Sequence, residues 1–185
     1  MKLRTSLAAL VCFLSFTAAA SAQLQNENLL VALPSGYKID YQARKDQIAI
    51  SEMVPQQESV KNWTEMVTVQ IFFGLKRPPE QFKAQMEKLW SESCAGSKIE
   101  SITSGPENGY RALVWMQSCP LNRQTGKPEI TWFKAIQGND SFYLVQKAFR
   151  FAPTQEQVAQ WTRYLQSVTA CDSRLPDRTC PKTKS

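Results

Sequence analysis

Few residues in this chain have the types and spacing to do chemistry. No histidine occurs among its 185 residues, so serine or cysteine nucleophiles driven by imidazole and histidine-built zinc sites are excluded. Carboxylate, lysine and tyrosine chemistry survives. Ser35-Gly36-Tyr37-Lys38 has the spacing of the serine-lysine pair used by penicillin-interacting enzymes, a chemistry that needs Ser and Lys one helical turn apart. Pro34 and Gly36 instead set a turn that feeds a strand, where residues three apart point to opposite faces, and the companion SDN and KTG elements are missing. The segment reads as a turn. Glu52, Glu65 and Glu129 all fall in expected strands and could converge as an acid-base pair. Solvated or salt-bridged strand carboxylates are far commoner, so this is the weaker reading.

The glycines are scattered, which argues against a phosphate loop or dinucleotide turn, and no acidic cluster has the density of a calcium loop. No cofactor and no metal are therefore expected. Lys and Arg exceed Asp and Glu by six in total, but the two signs are interspersed and no run of five like charges occurs. A mixed solvated surface is expected, not a nucleic-acid groove.

Residues 1–22 have the form of an export signal: Lys2 and Arg4, an apolar run over 7–20, then Ala20-Ser21-Ala22 before Gln23. Cleavage is expected after Ala22. The run is short and rich in Ala, Ser and Thr, so no transmembrane segment is expected in the mature chain. Cys12 leaves with the leader, and Cys94, Cys119, Cys171 and Cys180 remain. An even number of cysteines in an exported chain, with no CxxC pair, points to two disulfides. Three pairings are formally open; Cys94 with Cys119 and Cys171 with Cys180 are favoured, tying a helix end to a strand end and closing a short loop.

These residues need elements to position them. Alternation marks strands over 29–33, 37–43, 47–54, 65–73, 98–104, 110–119, 129–137 and 141–151. Tyr37, Ile39 and Tyr41 are read on one face of the second, and apolar residues on both sides of 65–73 predict a central strand. Turns are expected at 105–109 and 138–140, with a loop over 120–128. Pro78-Pro79 opens a helix with an apolar stripe of Phe82, Met86, Leu89 and Trp90, which Gly96 ends. A second helix begins after Thr154, with Gln157 completing a capping box, and buries Val158, Trp161, Leu165 and Val168. Residues 23–180 are read as one α+β domain, an antiparallel sheet of about six to eight strands covered by two main helices, with 181–185 a flexible tail.

The aromatics have two readings each. Trp115 and Trp132 are expected in the sheet core, with a shared ligand cavity as the alternative. Trp63 sits in a polar connection, Glu58-Ser59-Val60-Lys61-Asn62-Trp63-Thr64, and is either a loop anchor or an exposed contact for a partner. Asn62-Trp63-Thr64 and Asn139-Asp140-Ser141 also fit the glycosylation pattern, but the leader reads as bacterial and no glycan is assigned.

The element order, together with Leu33-Pro34-Ser35-Gly36-Tyr37 and the run from Glu58 to Phe73, resembles small secreted bacterial proteins of unknown function and the PsbP and Mog-type α/β/α sandwich. That resemblance implies accessory or binding roles: extrinsic photosystem subunits, Ran binders and cell-envelope proteins of the DcrB type share the fold. No functional residue carries over from it. The expected function is an exported, non-enzymatic binding or accessory domain of the cell envelope, periplasmic or secreted, whose unknown protein or envelope partner meets a sheet edge or Trp63. The alternatives are a histidine-independent hydrolase or lyase and a small-ligand carrier.

Overall fold

Period-two alternation builds the sheet, and the chain's two amphipathic segments close over it. The computed structural model describes residues 24–181, so the leader and the last four residues lie outside the described part. Its elements run β1 (Glu27–Leu30), β2 (Tyr37–Lys45), β3 (Ile48–Pro55), β4 (Glu65–Phe73), α1 (Pro79–Ser93), β5 (Lys98–Glu107), β6 (Tyr110–Asn122), β7 (Lys127–Gln137), β8 (Ser141–Phe149), α2 (Gln155–Ser167) and β9 (Thr169–Asp172). Seven strands form one sheet in the order β2-β3-β4-β8-β7-β6-β5, and β1 pairs with β9 in a separate two-stranded sheet. Every pairing is antiparallel. The architecture is the α+β sandwich expected, with β4 central beside β8.

One face of the sheet carries Val67, Val69, Tyr110, Ile136, Tyr143, Val145 and Phe149 and packs against Trp161 and Leu165 of α2. The other carries Leu113, Trp115, Phe133, Phe142 and Leu144 beneath Phe82 of α1. Thr154 caps α2 as expected: its side chain accepts from the Gln157 N–H while the Gln157 side chain accepts from the Thr154 N–H. Such a cap stabilises a helix by about 1 kcal/mol. Disulfides join Cys94, at the end of α1, to Cys119 of β6, and Cys171 of β9 to Cys180, each contributing about 2–4 kcal/mol.

Several boundaries differ from the sequence reading, each for a physical reason. Gly105 and Pro106 lie inside β5, because an edge strand tolerates proline on its open side; Asn108 and Gly109, both at positive φ, make the turn. The 120–128 loop shrinks to a few residues as β6 and β7 extend to pair Asn122 with Lys127. Thr169–Asp172, where no strand was expected, is a strand whose Ala170, Cys171 and Asp172 are buried. Leu89 is 48% exposed, because α1 meets the sheet through Phe82, Met86 and Trp90 and Leu89 lies at the edge of that stripe. A bulge between Ile39 and Tyr41 flips the second half of β2, so Tyr41 does not share a face with Tyr37 and Ile39.

Candidate functional site

Two places in the molecule have the features of a site: a buried ionic cluster beneath α2, and an uncovered flank at β2 and β3. The cluster begins with Lys147, which the alternation of β8 turns onto the α2 face among Val145, Phe149 and Trp161. Its side chain is fully buried, and Nζ donates to Glu65 Oε2 at 2.7 Å and to the Tyr37 hydroxyl at 2.7 Å. Tyr37 in turn donates to the same Glu65 oxygen at 2.7 Å. The Trp161 ring lies 3.8 Å from Nζ, with Phe149 at 4.3 Å and Tyr37 at 5.0 Å. Burial pushes the Lys147 ammonium down to about 8, against the hydrogen bond and charge of Glu65, which hold it up. Burial, and then the bond to Glu65, pushes the Tyr37 phenol well above its ordinary value.

A lysine titrating near neutrality is a nucleophile or proton carrier when substrate can reach it. Here Glu65 and the side chains of Tyr37, Phe149 and Trp161 surround Nζ. The arrangement pins α2 to β4 and β8. A second buried lysine, Lys134 of β7, does the same at the other end of the helix: Nζ donates to the Leu165 carbonyl at 2.9 Å and pairs with Glu107. A cation at a helix C-terminus offsets the negative end of its dipole.

The flank is different. Trp161 of α2 meets Tyr37 at the start of β2, 5.3 Å between rings, but neither helix covers residues 41–51, so Tyr41, Ala43, Ile48 and Ile50 line an open groove of about 500 Å³ on the α1 face. On the α2 face, behind it, Gln42, Arg44, Ala49, Ser51, Val69 and Ile71 border a groove of about 410 Å³. Tyr41 is 45% and Ile48 43% exposed. β2 is an edge strand with no strand on its outer side among the described residues. Arg44 lies over the Phe73 ring at 4.3 Å, and the Phe73 N–H donates to the Gln47 carbonyl at 2.8 Å, which ties the end of β4 to the β2-β3 turn. Among the described residues, none of Arg44, Lys45 and Lys76 is ion-paired.

The residues singled out in the sequence fall as follows. Ser35 and Lys38 flank a turn closed by the Tyr37 N–H to the Pro34 carbonyl, and Lys38 pairs with Asp40. The three glutamates do not converge. Glu65 faces α2, Glu52 faces the opposite side opposite Thr68, and Glu129 binds Asn122 and Thr131 at the far end of β7. Burial pushes the Glu52 carboxyl up, but neither Glu65 nor Glu129 accompanies it. Trp115 and Trp132 are on opposite faces, the first stacked on Phe133 at 4.8 Å and the second against Phe149, so they line no common cavity. Trp63 is 9% exposed, packed with Val54, Met66 and Ala148 under the Arg150 guanidinium at 3.7 Å. That is the geometry of a loop anchor, and it leaves the ring little surface for a partner. The buried lysines had no sequence signal, because nothing in an alternating strand separates an inward lysine from an outward one.

No family model matches the chain, and no curated protein matches it. Among solved structures, the Ran-binding protein Mog1p of Saccharomyces cerevisiae is similar at 11% identity, covering 77% of this chain and 85% of that one with a TM-score of 0.45. A mutant of Mog1 gives 12% identity, 76% and 85% coverage and a TM-score of 0.43. Cyanobacterial PsbP (CyanoP) from Synechocystis gives 9% identity, 85% and 98% coverage and a TM-score of 0.43.

Proposed function

We propose that the protein is an exported, non-enzymatic accessory domain of the cell envelope that binds a partner protein through the β2-β3 flank. The observation that carries this reading is the overhang of the sheet: two apolar grooves, back to back at a free edge, where both helices stop short. Exposed apolar surface bordered by polar groups marks interaction sites. Export is supported by the leader-like residues 1–22 and by two disulfides, which persist in oxidising compartments. The ionic cluster favours no enzymatic reading, since its lysine is enclosed by rings and bonded to Glu65 and Tyr37.

Site-specific photocrosslinking tests the assignment. A photoreactive residue in place of Tyr41 is expected to capture a discrete partner in producing cells, whereas the same residue at Gln160, on the exposed side of α2, is expected to capture none. Equal capture from both positions, or none from Tyr41, would remove the flank as the binding face.

A further inference from the structure

The flank's chemistry says more about what binds there, an inference that rests on the flank being the binding face. We infer that β2 accepts an extended, acidic polypeptide segment as an added strand, with its apolar residues in the two grooves and its carboxylates against Arg44 and Lys45.

The free part of the edge is short and well defined. The loop after β3 folds back over the first half of β2: the Gln56 N–H donates to the Gly36 carbonyl at 2.9 Å, the Gln56 side chain to the Tyr37 carbonyl at 3.0 Å, and the Val60 N–H to the Asp40 carboxylate at 2.8 Å. Residues 41–45 remain open, a stretch of about 17 Å. Beyond the bulge their side chains alternate, with Tyr41, Ala43 and Lys45 toward one groove and Gln42 and Arg44 toward the other. An added strand alternates in the same way, so successive residues enter opposite grooves. The ligand is therefore apolar on both faces over its middle, unlike a strand with one solvated side.

Charge fixes the rest. Arg44 and Lys45 are neighbours in sequence, so they project to opposite faces at one end of the open stretch, and neither has a carboxylate partner among the described residues. Opposite charges across a strand pair stabilise it and like charges oppose it. A lipid surface fits less well, because the grooves lie on opposite faces and a plane can meet only one. A second copy fits less well too: antiparallel self-pairing centred on Ala43 sets Arg44 opposite Gln42 and Lys45 opposite Tyr41, gathering four cations with no carboxylate between them. Lysine on an edge strand guards against such self-pairing.

The test is selection of a phage-displayed nonamer library on the disulfide-bonded mature chain, followed by fluorescence anisotropy with the selected peptides. The expected peptides carry two or more apolar residues beside Asp or Glu, and their affinity falls with added salt. Replacing both cations (Arg44→Glu with Lys45→Glu) is expected to weaken binding about tenfold or more and to turn a fresh selection toward Lys and Arg. Neutral peptides that bind independently of salt would overturn the acidic ligand while leaving the flank as the binding face. Peptides untouched by Tyr41→Asp with Ile48→Asp would overturn both readings. Sedimentation with phosphatidylglycerol vesicles at about 0.15 M salt, or a concentration-dependent dimer in sedimentation velocity, would overturn the added strand in favour of a membrane or a second copy.

Discussion

The two ends of the seven-stranded sheet treat the same kind of side chain in opposite ways. Over β6, β7 and β8, helices cover both faces, and even the cations are internal: Lys134 and Lys147 are fully buried, each bonded to a carboxylate and to a neutral oxygen. Along residues 41–51 of β2 and β3 neither helix covers the sheet, and Arg44 and Lys45 are exposed with no carboxylate partner among the described residues, Arg44 resting on the Phe73 ring. Position relative to the helices decides what a cation does. Under cover it fastens α2 to the sheet, where its loss leaves an orphaned charge; on the flank its change costs the fold little, at most the exposed contact of Arg44 with the Phe73 ring.

That contrast breaks most sharply at Glu65. Glu65→Ala removes the carboxylate that accompanies Lys147 into the interior, and a loss of about 3–5 kcal/mol is expected in urea unfolding. The double change Lys147→Met with Glu65→Gln should recover most of it. If Glu65→Ala proved as mild as a surface substitution, the cluster would not be what holds α2. Gly138→Ala is expected to cost about 1–3 kcal/mol. A Cβ there would stand 2.1 Å from a Glu27 oxygen and 2.7 Å from the Ser141 carbonyl oxygen, displacing the carboxylate that accepts from the N–H groups of Asn139, Asp140 and Ser141.

A pH series sharpens the comparison further. Folded Lys147 loses its proton near pH 8 while its unfolded counterpart keeps it to about 10.5, so the unfolded state binds more protons across that interval and stability rises with pH. Above about pH 10 the sign reverses. Burial raises Tyr110 and Tyr164 to about 12, so the unfolded phenols ionise first. Urea midpoints should therefore climb from pH 8 toward 10 and then fall, and Lys147→Met should flatten the climb. The smallest effect belongs to the flank: Tyr41→Ser and Ile48→Ser should each move stability by no more than about 0.5 kcal/mol. A larger shift would mean that these side chains serve the fold.

Much of this architecture was legible because alternation and capping are local. Thr154 and Gln157 announce α2 by themselves, and the apolar residues on both sides of 65–73 announce a central strand. What stayed hidden depends on partners distant in sequence. The bulge at Asp40 is set by the loop that returns to it through Val60, and it decides which groove Tyr41 faces. Strand β9 is four residues long among polar neighbours and exists only because β1 pairs with it. The flank was legible only as a generic sheet edge, since where a helix stops covering a sheet is a property of packing and not of any one segment.

The pairing of β1 with β9 joins opposite ends of the described chain. The Asn26 N–H donates to the Ser173 hydroxyl at 2.8 Å across 147 positions, and Glu27 reaches the turn before β8. Contacts of such separation close late, after the loops they span have been ordered by shorter-range pairings. As the chain is synthesised, Leu29 and Leu30 have no strand to meet until Thr169 and Ala170 exist. Closure of this small sheet thus reports that the chain has been made through β9, and a protease acting on chains cut short before β9 would find the first strand loose.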